Sequence, residues 1–136
     1  MYTYDLTASP DAAAGTVPWT KVSDTALRPC SVAGITTTLV DGTEFVVVFG
    51  GEVDPSEKGH EGAGGFTNDV TVFSLPGGAP VPVESDPAAE KPTARGWLGF
   101  ARHSARADSA VLFGGLAGDD TAPIRLNDLW LLSLSA

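Results

Sequence analysis

Short runs of apolar residues, interrupted by glycine, proline and polar residues, recur along the whole chain. These runs lack the i, i+3, i+4 spacing of an amphipathic helix, and several are rich in β-branched residues or alternate apolar with polar positions. The pattern predicts an all-β chain with almost no helix. The predicted strands cover residues 1–6, 17–22, 28–40, 45–49, 69–75, 81–84, 97–105, 109–113 and 128–134.

Two of these strands are predicted in more detail. Phe45–Phe49 is wholly apolar, which indicates a strand buried on both faces. The preceding Asp41-Gly42 pair favours a two-residue hairpin turn, because both residues tolerate a positive φ. The strand at residues 81–84 contains Pro82, which suits an edge strand since proline cannot donate to a neighbour.

One unit of sequence occurs twice. A Phe-Gly-Gly motif ending at Gly51 is followed by an Asn-Asp strand, and the same order returns with a Phe-Gly-Gly motif ending at Gly115. The Phe-Gly-Gly motifs lie 64 residues apart and the Asn-Asp motifs 59, so the first copy holds five extra residues in the segment Glu52–Phe66. We expect the paired glycines to be architectural, because the chain must turn there in a crowded place.

Repeats of this kind restrict the fold class. A single four-stranded sheet cannot bury both of its faces, so repeats of roughly 50–65 residues with short strands predict sheets packed face to face in a radial array. The sequence therefore predicts a β-propeller arrangement.

Composition excludes several classes of partner. The net charge is −9 with only eight Lys and Arg and no basic run, which argues against nucleic acid. The apolar runs are too short to span a membrane, and residues 1–5 do not resemble a signal peptide. A single cysteine, Cys30, cannot form an intrachain disulfide and fits a reducing compartment. We expect a soluble, cytoplasmic protein without nucleic acid or membrane partners.

The combined motifs resemble the kelch repeat. They are the Phe-Gly-Gly and Asn-Asp-(Val/Leu) segments already described, a strand with tryptophan and a Pro-x-x-Arg segment before the next unit, and they cover nearly the whole chain. The resemblance implies a segment of about two and a quarter four-stranded blades, belonging to a six-bladed propeller or to a ring completed by assembly. Residues 1–24 would be the third and fourth strands of a blade, 25–86 a complete blade, and 92–136 the first three strands of the last blade.

The chain ends also have an expected place in such a propeller. Kelch propellers usually complete their last three strands with an N-terminal strand, so the end at Ala136 resembles a propeller C-terminus. Met1 would then mark a truncation, an alternative start or a fragment that assembles with another chain.

A narrower resemblance concerns residues 51–65, which look like the metal loop of the plant nitrile-specifier and thiohydroximate-specifier kelch proteins. Arg95-Gly-Trp97 and Arg125-Leu-Asn-Asp128 also match segments of that family. The family holds Fe²⁺ with Glu, Asp and His at positions i, i+4 and i+8. Glu52 and His60 match the first and third positions, whereas Ser56 occupies the second.

The acidic loop can be interpreted in two ways. Glu52, Asp54, Glu57, His60 and Glu61 supply oxygen and nitrogen donors suited to Fe²⁺, Mn²⁺ or Zn²⁺. The resemblance favours Fe(II) held by Glu52, Asp54 and His60. The alternative is a solvated, glycine-rich acidic loop with an uncommitted histidine.

Trp97 and Arg95 are the candidate substrate-binding residues, because the family's Arg-Gly-Trp tryptophan faces the substrate pocket beside the metal. The alternatives are packing of Trp97 between blades and bracing of a neighbouring blade by Arg95. The family's arginines that bind the sulfate of the substrate belong to blades with no counterpart here.

Two functions stay open at this stage. The chain could be a specifier-like Fe(II) lyase, or a degenerate relative, that redirects glucosinolate-aglycone breakdown toward a nitrile. The alternative is a non-catalytic kelch scaffold for protein interaction, since fold does not decide function. Under either hypothesis we expect an oligomer or another chain to cover the exposed blade edges.

Overall fold

The computed structural model describes residues 2–4, 19–21, 28–59 and 62–135. This part of the chain is all-β, as predicted, and contains no α-helix. The strands are β1 (Tyr2–Tyr4), β2 (Trp19–Lys21), β3 (Gly34–Val40), β4 (Thr43–Phe49), β5 (Glu52–Asp54), β6 (Gly65–Phe66), β7 (Val70–Ser74), β8 (Ala79–Val81), β9 (Gly99–Arg102), β10 (Ser109–Gly118) and β11 (Pro123–Ser133).

The strands form four antiparallel sheets. Sheet 1 has four strands in the order β3-β4-β7-β8, and sheet 2 has three in the order β11-β10-β9. Two small sheets are formed by β1 with β2 and by β5 with β6. No closed ring of sheets occurs among the described residues, so the propeller arrangement stays a prediction.

The expected turn and strand signals in sheet 1 are confirmed. Asp41 and Gly42 have φ of 48° and 80°, so the predicted positive φ at both positions closes the β3–β4 hairpin. The apolar strand is buried on both faces, since the neighbouring side chains Val47 and Val48 are 0% and 5% exposed. The edge strand is also observed, as β8, but it contains Pro80, and Pro82, the proline expected within it, follows its last residue.

Strand register shows that the two sheets are equivalent units. Gly34 lies opposite Phe49 in sheet 1, and Gly99 lies opposite Phe113 in sheet 2. The residues two positions before these glycines, Val32 and Trp97, both have a positive φ, of 52° and 50°. The sequence repeat is therefore also a repeat of backbone conformation.

The paired glycines have the architectural role that was predicted. Gly50 and Gly51 have φ of 65° and 107°, and their counterparts Gly114 and Gly115 have 61° and 111°. A Cβ at Gly50 would lie 2.5 Å from the carbonyl oxygen of Arg95, a contact that real Cβ atoms do not make. Side chains are excluded there by both the conformation and the approach of the neighbouring backbone.

The core lies between sheets 1 and 2. Val47, Phe49 and Val72 of sheet 1 are at most 2% exposed, as are Ala110 and Leu112 of sheet 2. At the narrow end of the interface, the rings of Phe49 and Phe100 lie 6.3 Å apart between centroids. The sheets diverge from this contact into a cleft of about 1220 Å³ near their outer strands.

Some boundaries differ from the prediction. The segment Glu52–Phe66, expected as a loop, begins and ends as the paired strands β5 and β6, because the hairpin continues beyond the glycine pair. The same continuation occurs in sheet 2, where β10 and β11 pair as far as Gly118 and Pro123. β8 starts two residues before the predicted edge strand at residues 81–84 and ends at Val81, so residues 82–84 are not part of a strand. Of the N-terminal prediction, β1 and β2 are observed, and the remainder of residues 1–27 lies outside the described residues.

Candidate functional site

The candidate residues lie at one end of sheets 1 and 2, which we name the loop end. It comprises residues 31–33, 50–59, 62–69, 95–98 and 114–127, where β3 and β9 begin and the β4–β7 and β10–β11 connections lie. Backbone hydrogen bonds join the two sheets here, including Trp97 N–H to Val32 O at 2.9 Å. This end carries the longer acidic segment and both candidate substrate residues.

Glu52 is a buried carboxylate fixed from two sides. It is 8% exposed, and its oxygens accept hydrogen bonds from the Ser31 hydroxyl at 3.1 Å and the Gly64 N–H at 3.2 Å. Two backbone bonds of 2.8 and 2.9 Å also join Glu52 to Ser31. Neutral donors thus hold the side chain at the root of the acidic segment, and a carboxylate has lone pairs for further partners.

Asp120, in the connection between β10 and β11, links sheet 2 to the acidic segment, by which we mean the described part of Glu52–Phe66. Its Oδ1 accepts hydrogen bonds from the Ser56 hydroxyl at 2.6 Å and the Ala63 N–H at 2.9 Å. Lys58 Nζ donates to the Asp120 carbonyl at 2.7 Å. Ser56, at the position where the resembled family has a metal-binding aspartate, is therefore engaged in a link between the two repeats.

Asp119 shapes the turn that presents this anchor. Its Oδ1 accepts from the Thr121 hydroxyl at 2.6 Å and from the backbone N–H groups of Thr121 and Ala122 at 2.8 and 2.9 Å. These bonds lower the pKa of the Asp119 carboxyl from its ordinary value, and the bond from the Thr121 hydroxyl contributes most. The turn between β10 and β11 is thus stabilised by an ionised side chain.

The proposed metal ligands are only partly placed. Asp54 is exposed at the end of β5, two residues from the buried Glu52. His60 and Glu61 lie outside the described residues. Among residues 28–59 and 62–135, no three His, Cys, Asp or Glu side chains form a group that could hold a metal. The described donors alone thus supply one buried carboxylate, which is too few for a protein iron site.

Arg95 is fully buried and joins the two sheets. Its guanidinium contacts both carboxylate oxygens of Asp128 at 2.5 and 2.9 Å and donates to the Gly114 carbonyl at 3.0 Å. Its own backbone accepts from the Gly51 N–H and donates to the Thr67 carbonyl, both in the connection between β4 and β7 of sheet 1. These contacts match the bracing role considered from the sequence, and contact with substrate stays a prediction.

Asp128 is the ionic partner of Arg95. The Arg95 guanidinium, and after it the Trp130 indole N–H at 2.6 Å, hold the pKa of the Asp128 carboxyl far below its ordinary value. Trp130 therefore has a structural role, because its indole N–H helps to fix the Asp128 carboxylate.

Trp97 is a large, exposed aromatic residue of the loop end. Its side chain is 42% exposed, and its ring meets that of Phe66 edge-on, with 6.4 Å between centroids and 78° between planes. Phe66 in turn lies opposite Glu52 in the β5–β6 pair. Because the equivalent Val32 shares the positive φ of Trp97, the conformation belongs to the repeat, whereas the exposed indole is particular to this position.

Three residues of this end were missed by sequence reasoning: Ser31, Phe66 and Asp120. Ser31 and Phe66 flank Glu52 in the strand register, which the sequence alone does not give. Asp120 is 64 residues from Ser56, and nothing in the sequence indicates that the two meet.

Comparison with known proteins adds no family assignment, because no protein-family model and no curated protein matches the chain. In the described part of the structure, no helix has the length and apolar character needed to cross a membrane.

Proposed function

We propose that the protein is a kelch-type binding module, and that its loop end contacts a protein partner without chemistry. The observation that supports this most is Trp97, an aromatic side chain left 42% exposed beside Phe66 on a surface braced by Arg95 and Asp120. Exposed aromatic residues on a rigid support are typical interaction anchors.

The charge of this surface suggests the class of partner. Asp54, Glu57 and Asp119 are exposed at the loop end, where Lys58 and Arg125 are exposed basic neighbours, and the whole chain carries −9. An acidic rim around an aromatic anchor favours a partner segment with basic residues flanking an apolar side chain. As a kelch-type module the chain would also need another chain, a second copy or a different protein, over its exposed sheets.

Binding to an array of short peptides with Lys or Arg on either side of a Leu or Ile tests the module hypothesis. We expect peptides that bind the wild-type chain to lose at least about tenfold in affinity with Trp97→Ala, and to bind more weakly at high salt. Val83→Ala is the matched control, since Val83 is 41% exposed and lies away from the loop end. Equal binding by wild type and Trp97→Ala would refute the role of this surface.

A second candidate is specifier-like Fe(II) chemistry, favoured by the buried Glu52 carboxylate on the same end as Trp97. In that case Glu52, Asp54 and His60 would bind Fe(II), and the ion would supply a site for a sulfur-containing substrate. Trp97 would contribute an apolar wall beside that substrate.

Iron binding separates the two candidates. Protein incubated with Fe²⁺ without oxygen and then desalted should retain about one iron per chain if the site exists. Glu52→Gln and His60→Ala should each abolish retention, whereas Glu84→Gln, an exposed carboxylate away from the loop end, should not. No iron on the wild-type protein would exclude this candidate and leave the binding module.

A further inference from the structure

Each of the two sheets has a front face and a back face. The front face of sheet 1 includes Gly34, Val47, Phe49, Val70 and Val72, and the corresponding front face of sheet 2 includes Gly99, Val111, Phe113, Leu129 and Leu131. The back face of each sheet carries the alternate residues, among them Ile35 in sheet 1 and Phe100 in sheet 2.

Within the chain, the front face of sheet 1 is covered by the back face of sheet 2. Gly34 is the point of closest approach, because a Cβ there would lie 2.8 Å from Phe100 Cβ and 2.9 Å from Leu98 Cδ1. Phe49 and Val72 are each 2% exposed as a result. A glycine on the inner strand thus receives a large side chain of the next sheet.

The front face of sheet 2 has the same construction, and no other described segment covers it. Gly99 occupies the place of Gly34, and a Cβ there would meet only atoms of Phe113, at 3.7 Å or more. Phe113 is 55% exposed, Leu129 70% and Leu131 49%, although their counterparts in sheet 1 lie in the core or at its margin. A contiguous apolar face of this kind on a sheet marks a contact surface.

The complementary surface occurs on the back face of sheet 1. Ile35 follows Gly34 as Phe100 follows Gly99, so Ile35 is the equivalent of Phe100. Phe100 is the side chain that packs into the space left by Gly34 within the chain. Ile35 is 64% exposed and Leu39, on the same face, 36%. The outer part of that face is already covered, since Val48 and Phe73 are 5% and 2% exposed, so the inner strand β3 supplies the available contact.

We propose that a second copy of this chain docks head to tail, with its β3 residues Ile35 and Leu39 on the front face of sheet 2. Ile35 of the second copy would pack against Gly99, as Phe100 packs against Gly34 within the chain. The contact repeats, with the same order of faces, the inner-strand part of an interface that the molecule already contains, since the outer part of the back face of sheet 1 is already covered. It extends the proposal that another chain covers these sheets, and it is independent of peptide or iron binding at the loop end.

A head-to-tail contact uses two different surfaces. In a pair of copies, one front face of sheet 2 and one β3 surface are therefore still uncovered. Successive copies therefore add until the ring closes or a filament forms. A face-to-face dimer built from two front faces would instead stop at two copies and would not involve Ile35. This difference makes the proposed geometry testable.

The test measures solution mass by light scattering and sedimentation over a range of concentrations, using the 136-residue chain. We expect the wild type to exceed the 14.0 kDa of one chain, and Ile35→Asp and Leu129→Asp each to remain monomeric. An equimolar mixture of the two variants should form pairs of twice that mass and nothing larger, since each variant keeps one intact surface.

Controls separate association from folding and from the loop end. Ile35→Thr and Leu129→Thr keep strand propensity and should still raise the apparent dissociation constant at least about tenfold. Val83→Asp and Trp97→Ala should associate like the wild type. A monomeric wild type would overturn the proposal, as would self-association that Leu129→Asp abolishes and Ile35→Asp leaves intact. Failure of the peptide or iron experiments would leave this result unchanged.

Discussion

Replacement of Arg95 tests most directly how the two sheets are held together. Arg95→Ala removes two bonds to Asp128, one to the Gly114 carbonyl and one to the Thr93 carbonyl, together with a fully buried side chain. Because the backbone of Arg95 is bonded to the β4–β7 connection and its side chain to sheet 2, we expect the loss to weaken the contact between the sheets.

The magnitude follows from the exposure of the partners. The Asp128 side chain is 38% exposed and regains water when the guanidinium is removed, so its ionic contribution is only about 1 kcal/mol. The two carbonyls lose a partner at about 1 kcal/mol each, and the lost packing of the aliphatic stem adds a similar amount. We expect the free energy of unfolding to fall by about 3–4 kcal/mol, a large part of the 5–15 kcal/mol typical of a domain.

Equilibrium unfolding in urea, followed by tryptophan fluorescence and circular dichroism, measures this change. Arg95→Lys keeps the charge and much of the stem but not the two-pronged contact, and should lose about half as much. Arg106→Ala is the matched control, because Arg106 and Asp108 lie 3.9 Å apart and both are about half exposed. It should change stability by less than about 1 kcal/mol. Equal losses for Arg95→Ala and Arg106→Ala would refute the bracing role.

Three further changes test the same interpretation of the fold. Gly50→Ala should lower the free energy of unfolding by at least about 2 kcal/mol, because φ is 65° and the new Cβ would meet the Arg95 carbonyl, whereas Gly77→Ala, with open space around it, should be nearly neutral. Thr38→Val should raise thermal stability by about 1 kcal/mol, since the buried Thr38 hydroxyl has no partner in the described structure. Asp128→Asn should make the stability of the protein less sensitive to acid. Because folding lowers the pKa of Asp128 below its unfolded value of about 4, ionised Asp128 stabilises the wild type above that pH, and this stabilisation is lost as the pH falls.

The corresponding measurements are urea unfolding for Gly50 and Gly77, calorimetry for Thr38, and urea unfolding between pH 7 and pH 3 for Asp128. A lower melting temperature for Thr38→Val would show that its hydroxyl has a partner in the folded state. The reasoning on Asp128 fails if the difference between wild type and Asp128→Asn stays constant, or grows, as the pH falls below 4.

Much of the fold could be predicted from the sequence because its signals are local. Asp41-Gly42 determines a hairpin turn, and the two Phe-Gly-Gly motifs mark equivalent points of two sheets. The wholly apolar run at residues 45–49 indicated a buried strand, and Val47 is indeed fully buried. In each case the residues that carry the signal adopt the conformation themselves.

The candidate site could be predicted only in part. The sequence indicated an acidic segment as the place of interest, and this segment does lie beside Trp97 at one end of the sheets. It did not reveal that Ser56 donates to Asp120, since the two residues are 64 positions apart and belong to different repeats. The bracing role of Arg95 was one of two alternatives, and its hydrogen bonds depend on how the sheets pack.

The sequence by itself determined the strands, their turns and the twofold repeat, because backbone conformation and burial follow from residue type at short range. Only the tertiary structure decided which polar groups are used within the protein, as with Ser56 and Arg95, and which apolar residues lack cover, as with Phe113 and Leu129. The physical reason is that hydrogen-bond partners and burial depend on the packing of one sheet against the next, and distant segments supply both.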